Sequence, residues 1–408
     1  MLRIAGSDVD PNANGTGKAG FRVGTPGVNA STEITAAWLN QLQESVVQTI
    51  ELAGLTPSSD ATQMAVAIGT IASGYAASAL SDAQDAFERR LKRMAIANAR
   101  AIPGVHTSSA LAMCSLSTPS APTSTGYLVV GGLGSISQMG NGMLGAVART
   151  APASFSGNYF GVCLGTPTGG VSTGTAVAVG AAGTLHSSTF VSGYATWAAA
   201  TPAAGYSNDF TDVCFGADTF CAVGLAAEIE TSTTGTSGWT KRTPGSSFSG
   251  ALYSCCHTGS AFVVGGASGE LQRSTNLTTW TRVVPSPSTT SSFTLVRSDG
   301  AGHVVAITSS GLVYESNDHG VNFTLSAPSG GIGVSPLSVA YIPLLGTWAA
   351  TVGSDYSIWW RNPQSYTWER GGYMPAPGAR IIGDPSTAST ASWVGCASNG
   401  VLLAGLDV

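Results

Sequence analysis

The side chains of this 408-residue chain that most often carry chemistry are its seven cysteines and five histidines. Zinc sites need such residues at short, regular spacing, and nucleophilic cysteines need a base. No CxxC pair occurs here, no histidine stands at zinc-ligand spacing from a cysteine, and no phosphate loop or Ser/His/Asp set is present. We therefore expect no metal, no cofactor and no catalytic residue, and we interpret the histidines as surface or turn residues: His106, His186, His257, His303 and His319.

One cysteine pair could form a disulfide. If Ala217-Asp218 is a two-residue turn, Cys214 and Cys221 lie directly opposite each other on neighbouring strands. Disulfides are rare in proteins made in a reducing cytoplasm. Packed free thiols are therefore the favoured interpretation, and the disulfide stays the alternative.

Composition narrows the class of protein. Charged residues make up 10% of the chain and the net charge is −5, so no basic surface for nucleic acid is expected. The first residues lack the basic and apolar regions of a signal peptide. One uncharged run, residues 61–81, is long enough to span a bilayer, but its Thr, Gly, Ser and Gln63 favour a protein-packed helix. We expect a protein synthesised in a cytoplasm without secretion.

The N-terminal quarter predicts an arm followed by helices. Residues 1–34 are polar and rich in Gly and Asn, typical of an extended arm, and residues 35–98 predict a helical region. The first helix is capped by Thr35 and stopped by Gly54, and an apolar stripe runs along it: Leu39, Leu42, Val46, Ile50 and Ala53. Two further helices are predicted after Pro57 and around residues 81–97. Such narrow stripes suit contact with other copies or a partner; a small bundle packed on the rest of the chain is the alternative.

The segment from Phe21 to Ile68 resembles the N-terminal segment of many bacteriophage tail fibre and related tail proteins. The match covers about 50 residues, and its positions are Phe21, Gly24, Pro26, Thr35, Trp38, Leu39, Asn40, Gln43, Ile50, Ala53, Gly54, Leu55, Pro57, Ser58, Asp60, Gln63 and Ala67. The resemblance implies a virion protein, commonly trimeric, whose N-terminal part attaches to the tail. Trp38, Leu39, Leu42, Val46 and Ile50 are the expected attachment and oligomerisation residues.

The remaining chain repeats a unit of about 42 residues. Trp197, Trp239, Trp280 and Phe323 each stand five residues before a proline, and the prolines of the series are 103, 152, 202, 244, 285, 328 and 375. Seven apolar runs followed by a tight turn mark the same units, with turns at Gly134, Gly183, Ala227, Gly269, Gly311, Asp355 and Gly400. Four short strands per unit at this period predict a seven-bladed β-propeller over residues 99–408, with the last blade closed by a strand near residues 96–103. Six or eight blades stay open.

One hairpin of the repeat has a known counterpart. Ser316, Asp318, Gly320 and Phe323 resemble the Asp-box turn of sialidase-like propellers, with degenerate copies at "STTGTSGW" and "STNLTTW". In such proteins the turn stabilises the fold and lies away from the active site, so it indicates fold and not activity.

The arginines argue against a hydrolase. A sialidase holds a carboxylate with an arginine cluster on the inner strands and needs a nucleophile and an acid. The repeat register places only Arg297 and Arg380 on inner strands and no carboxylate pair beside them; six others fall on outer strands: Arg149, Arg242, Arg273, Arg282, Arg361 and Arg370.

Binding is the favoured function, because propellers present loops from every blade on one face. Loops after the prolines carry aromatic and amide side chains that suit sugars, and the weak receptor-binding candidates are Tyr159, Tyr206, Asn208 and Tyr356. We expect a tail fibre or receptor-binding protein with tail proteins and a bacterial surface glycan or protein as partners. The alternatives are a tail decoration or bridging protein that touches no receptor, and a sialidase-like polysaccharide hydrolase.

Overall fold

The computed structural model divides the chain into two compact units, Met1–Arg90 and Leu91–Val408. It describes residues 9–10, 20–21, 36–58, 66–67, 70, 99–102, 109–116, 126–139, 146–152, 155–168, 174–189, 193–203, 205–326, 331–362, 365–374, 378, 380–383, 391–396 and 402–406. The predicted domain boundaries at residues 35 and 99 stay predictions.

The first unit contains two short paired strands and a helix. Strands β1 (Val9–Asp10) and β2 (Gly20–Phe21) are antiparallel, and helix α1 runs over Ala36–Leu52. No described helix is long and apolar enough to cross a membrane. The two further predicted helices lie largely outside the described residues.

The predicted end of α1 is confirmed. Gly54 adopts φ +77°, its N–H donates to Glu51 O (2.9 Å), and the N–H of Leu55 donates to Ile50 O (3.1 Å). This pair of bonds is the Schellman arrangement, in which a left-handed glycine satisfies the last carbonyls of a helix.

The buried side of α1 differs slightly from the predicted stripe. Ile50 and Val47 are buried, whereas the predicted Val46 is only half-buried. The side chains of Trp38, Leu39 and Leu42 lie outside the described part, so their attachment role stays a prediction.

The second unit is built from four-stranded antiparallel sheets. Six of them consist of four consecutive strands each. They are β4–β7 (Ala110–Ser115, Tyr127–Gly131, Ile136–Met139, Ala146–Arg149), β8–β11 (Tyr159–Gly165, Thr175–Gly180, Thr184–Thr189, Ala198–Ala200), β12–β15 (Phe210–Gly216, Thr219–Gly224, Glu228–Ser232, Thr240–Arg242), β16–β19 (Leu252–His257, Phe262–Gly266, Leu271–Ser274, Thr281–Arg282), β20–β23 (Phe293–Ser298, Val304–Thr308, Val313–Ser316, Thr324–Leu325) and β24–β27 (Pro336–Ile342, Thr347–Val352, Ser357–Arg361, Trp368–Tyr373).

A further four-stranded sheet joins the two ends of this unit. It consists of β28 (Arg380–Gly383), β29 (Ala391–Cys396), β30 (Leu402–Leu406) and β3 (Ala99–Ile102). Strand β3 pairs antiparallel with β30, from Ala99 opposite Gly405 to Ile102 opposite Leu402. The predicted closing strand near residues 96–103 is therefore confirmed, and the pairing covers an edge of the sheet that would otherwise be open.

The sheets follow one another in a closed ring. The first strand of each sheet contacts the first strand of the next, and β28 contacts β4 to complete the circle. The second strands are buried on both faces, which explains why they read as continuous apolar runs such as "TAVAVG" and "VVAIT". The core is therefore a series of layers between sheets.

The aromatic markers of the repeat belong to these layers. Trp197, Trp239, Trp280, Phe323 and Trp368 are all at most 7% exposed. Trp280 packs with Phe262 and Cys255 across two strands of its sheet. Val147, which takes the place of the aromatic residue in the first unit, is instead 55% exposed, because a short aliphatic side chain on this outer strand does not reach the layer.

The turn that resembles an Asp-box has a closed hydrogen-bond pattern. Asp318 Oδ1 accepts the N–H groups of Val321 (3.0 Å) and Asn322 (2.9 Å), and Ser316 Oγ accepts the N–H of Gly320 (2.9 Å). In the preceding sheet, Asn276 Oδ1 accepts two N–H groups in the same way. The motif thus holds the connection between the third and fourth strands.

The second hairpin turn of each unit requires a left-handed residue. Gly134, Gly183, Ala227, Gly269 and Gly311 occupy this position with φ between 57° and 85°. In the sixth unit the residue is Tyr356, with φ +56°, and not Asp355 as the sequence predicted. The prediction was one residue early because Tyr is an unusual residue at positive φ.

Candidate binding site in the central channel

The first strands of the sheets surround a cavity of about 660 Å³. It is lined by residues of β4, β8, β12, β16, β20, β24 and β28. In the six complete sheets, the register of the first strand shifts after its first residue. The residue that follows the shift is Asp212 in β12, Ser254 in β16 and Ser338 in β24, and these three join neighbouring strands.

Asp212 is one of two aspartates in the cavity wall, with Asp299, and it forms four hydrogen bonds. Its Oδ2 accepts hydrogen bonds from Ser254 Oγ (3.0 Å), from the N–H of Cys255 (3.0 Å) and from Arg297 Nη1 (2.7 Å), and its Oδ1 accepts the N–H of Val213 (3.0 Å). The carboxylate therefore ties β12 to β16 and β20.

Arg297 is held as firmly as its partner. Nη1 also lies 2.6 Å from Ser254 Oγ and 2.9 Å from the carbonyl of Val296. Burial opposes the charge of Arg297, but the adjacent Asp212 more than compensates and raises the pKa of the guanidinium. The ion pair is thus a neutral structural unit of the channel wall.

Arg380 lies in the same cavity without such a partner. It opens β28, is half-buried, and forms no hydrogen bond or ion pair with any residue that the structure describes. Burial lowers its pKa, and the positive charge of Arg297 adds to the effect. The nearby Ser338 Oγ is engaged by the backbone of Ile381, as donor to its carbonyl (2.9 Å) and acceptor from its N–H (3.1 Å).

Thiols line much of the wall. Cys114, Cys163, Cys214 and Cys256 occupy equivalent positions in successive first strands, and all seven cysteines are free. Burial raises the pKa of Cys114 to about 12 and of Cys396 to about 12. Because the thiolate is the reactive form, these groups are small apolar side chains. The described residues also contain no group of three or more His, Cys, Asp or Glu that could hold a metal.

The structure confirms the prediction that Cys214 and Cys221 lie directly opposite each other on neighbouring strands. The two residues are direct partners in β12 and β13, and Ala217 and Asp218 both have positive φ in the turn between them. They are free thiols in this structure.

Two histidines depart from the predicted surface role. His186 is buried and its Nδ1 lies 2.5 Å from the hydroxyl of Tyr159, and burial lowers its pKa to about 4. His257 lines the cavity; its Nδ1 accepts the N–H of Gly259 (3.3 Å), and its buried Nε2 has no partner in the described structure. A neutral imidazole of this kind carries its proton on Nε2, which leaves a donor unused.

The four receptor candidates do not form one site. Tyr159 is completely buried and packs against Phe155. Its selection as an exposed residue was wrong, because the loop after Pro152 places this ring at the start of β8, inside the layer between sheets. Tyr206 is half-buried and donates to the carbonyl of Asp209 (2.8 Å), which gives it a structural role.

Asn208 and Tyr356 are exposed. Tyr356 lies next to Tyr373 at one end of β26, and Tyr366 lies in the turn at the other end; Tyr366 and Tyr373 are each 61% exposed. Arg361 lies over the ring of Tyr366 (4.8 Å) and Arg370 over that of Tyr373 (4.6 Å).

The placement of the arginines was predicted correctly. Arg297 and Arg380 are on first strands, and the other six are on third or fourth strands. Asp212 was missed. An alignment of "YFGVCLG", "FTDVCFG" and "LYSCCH" would have shown a carboxylate where other first strands have Gly or Ser.

No protein-family model and no curated protein matches the chain. Solved structures do. The WD40 β-propeller domain of Doa1 superposes with a TM-score of 0.53 at 10% identity, over 74% of this chain and 93% of that one. The second unit is a β-propeller. The WD40 repeats of RRP9 give 0.57 at 11% identity, over 76% and 97%, and YCF48 bound to D1 peptide gives 0.55 at 14%, over 75% and 94%. At this identity the likeness shows the fold alone, and it confirms a mainly β propeller of four-stranded blades.

Proposed function

We propose that this protein is a bacteriophage tail fibre or receptor-binding protein, made in the host cytoplasm and incorporated in the virion. The observation that carries the proposal is the division of the chain into two compact units. The segment that resembles tail proteins includes α1 and belongs to the first unit, while the second unit is a propeller. Attachment by one part and recognition by the other fits this division, and a homotrimer is the expected assembly.

The split sheet serves as the seventh blade of the proposed recognition module. It has four strands like the other six, and its β28 occupies the first-strand position between β24 and β4. Closure through β3 ties the start of the propeller to its end, which suits a domain exposed outside the cell.

Host recognition is supported by exposed aromatic side chains of the sixth blade. Tyr356 and Tyr373 present exposed rings at one end of β26, where Arg370 lies over the ring of Tyr373, and Tyr366 presents a ring beside Arg361 at the other end. Aromatic rings with adjacent charged groups suit the apolar faces and hydroxyls of sugars.

Two experiments test the proposal. Immunogold labelling of virions from the phage that encodes the chain should place the protein on the tail. Fluorescently labelled full-length protein should bind receptive cells and not resistant mutants of the same strain. Unlabelled tails would contradict the tail assignment.

The cell-binding result also separates the alternatives. Labelled tails without cell binding would favour a decoration or bridging protein. Release of reducing sugar from host polysaccharide would favour a hydrolase; the four hydrogen bonds of Asp212 support a structural role for this carboxylate.

A further inference from the structure

Arg380 is a cation of the channel wall that has no bonded carboxylate among the described residues. Arg297 is neutralised by Asp212 at 2.7 Å, whereas no acceptor in the described part of the chain bonds to the guanidinium of Arg380. A partly buried charge without an acceptor is costly, and proteins usually provide one. Arg380 bears this energetic cost in the wall of a cavity that can admit a ligand, and a bound anion would remove it.

No described group around Arg380 bonds to its guanidinium, although the carboxylate of Asp212 favours its charge from a distance and Asp299 lies in the same cavity wall. On the neighbouring strand β29 its partner is Cys396, whose thiol is neutral because burial raises its pKa to about 12. On β24, Ser338 is engaged by Ile381, and burial raises the pKa of Tyr341. Directly after β20, Asp299 Oδ1 accepts the N–H groups of Ala301 (2.7 Å) and His303 (3.0 Å).

We propose that the central channel binds an oxyanion, a carboxylate or a phosphate, through Arg380. The planar guanidinium pairs with such groups through two parallel hydrogen bonds. A cavity of about 660 Å³ has the size of small-molecule sites in general, and a monosaccharide fits within it. This inference concerns the propeller alone and goes beyond a role in the tail.

Calorimetric titration of the full-length protein tests the site. The probes are glucuronate as the carboxylate, inorganic phosphate, and glucose as the neutral analogue. We expect saturable binding of one ligand per chain for glucuronate, phosphate or both, and none for glucose. The preference between the two anions identifies the source of the oxyanion, and absence of binding by both would overturn the proposal.

The variant pair assigns the binding to Arg380. Arg380→Gln should weaken it about tenfold or more, since a hydrogen bond to a charged group is lost, and Arg380→Lys should restore part of it. Arg149→Gln removes the same charge from an outer strand, where Arg149 bonds Gln138, and should leave the affinity unchanged. Equal losses in both Gln variants would show a general charge effect and contradict the assignment.

A measurement on the unaltered protein covers the case in which Arg380→Gln does not fold. Phenylglyoxal modifies accessible arginines, and mass spectrometry reports the rate at Arg380 and at Arg149. The bound anion should slow modification of Arg380 several-fold and leave Arg149 unaffected. Equal rates at Arg380 with and without the anion would refute the proposal.

Discussion

Glu230 occupies a position between blades where the next blade has a glutamine. In the next blade, Gln272 forms two hydrogen bonds with Gly245, the residue after Pro244. Its Oε1 accepts the N–H of Gly245 (2.8 Å), and its Nε2 donates to the carbonyl of Gly245 (3.1 Å). Glu230 accepts the equivalent N–H of Ala203 (2.8 Å), but its other oxygen is buried without a partner. A protonated carboxyl could donate from that oxygen as the amide does.

The structure indicates that Glu230 favours the protonated form. Its side chain is fully buried, and burial raises its pKa from 4.5 to about 7 against the opposing bond from Ala203. A pKa that is raised on folding stabilises the protein below the unfolded value and loses this contribution as pH rises from 4.5 to 7. The full shift corresponds to about 3 kcal/mol.

Glu230→Gln should remove the loss of unfolding free energy that the wild type shows as pH rises. Between pH 5 and pH 8, the variant should gain about 2–3 kcal/mol in unfolding free energy relative to the wild type, measured by urea unfolding followed by tryptophan fluorescence. Gln272→Glu is the matched reverse change and should lose stability over the same range. If the difference between wild type and Glu230→Gln were the same at both pH values, Glu230 would be ionised in the fold and the reasoning would be wrong.

Three further predictions concern the channel, the fifth blade and the sixth blade. Asp212→Asn should lower the unfolding free energy by about 3–5 kcal/mol, since it leaves Arg297 unpaired; a loss under 1 kcal/mol would contradict the role of the ion pair. For Glu315, burial is outweighed by bonds from His303, Arg361 and Ser326 that lower its pKa to about 2. Its contribution is present above pH 4.5 and lost as pH falls towards 2, so an acid titration of Glu315→Gln should show a flatter stability profile; an unchanged profile would refute this. Tyr356→Gly should keep the unfolding free energy within about 1 kcal/mol, because relief of positive-φ strain offsets the flexibility of glycine, and should weaken cell binding; unchanged binding would remove Tyr356 from the receptor surface.

The blade architecture could be predicted because it repeats. Buried second strands give continuous apolar runs, and the aromatic marker seen at Trp280 recurs in the units where a large ring fills the layer between blades. The closing strand was predictable since one unit lacked its outer strand and the segment before Pro103 had no partner.

The candidate sites could be predicted only in part. The repeat register placed Arg297 and Arg380 on first strands, but it gave no distance. The pairing of Arg297 with Asp212, and the lack of a partner for Arg380 among the described residues, therefore emerged only from the fold. Tyr159 was misplaced because its loop is short and its ring turns into the core. Sequence pattern reports the strand on which a residue lies more reliably than the side to which its ring turns.

Adsorption competition tests the central claim most directly. Host cells are incubated with increasing amounts of the purified full-length protein before the phage that encodes it is added, and free phage is counted over time. If the protein is the receptor-binding component, the adsorption rate should fall with dose towards that of a resistant strain. An adsorption rate that stays constant at saturating protein, with the protein correctly folded, would contradict the account.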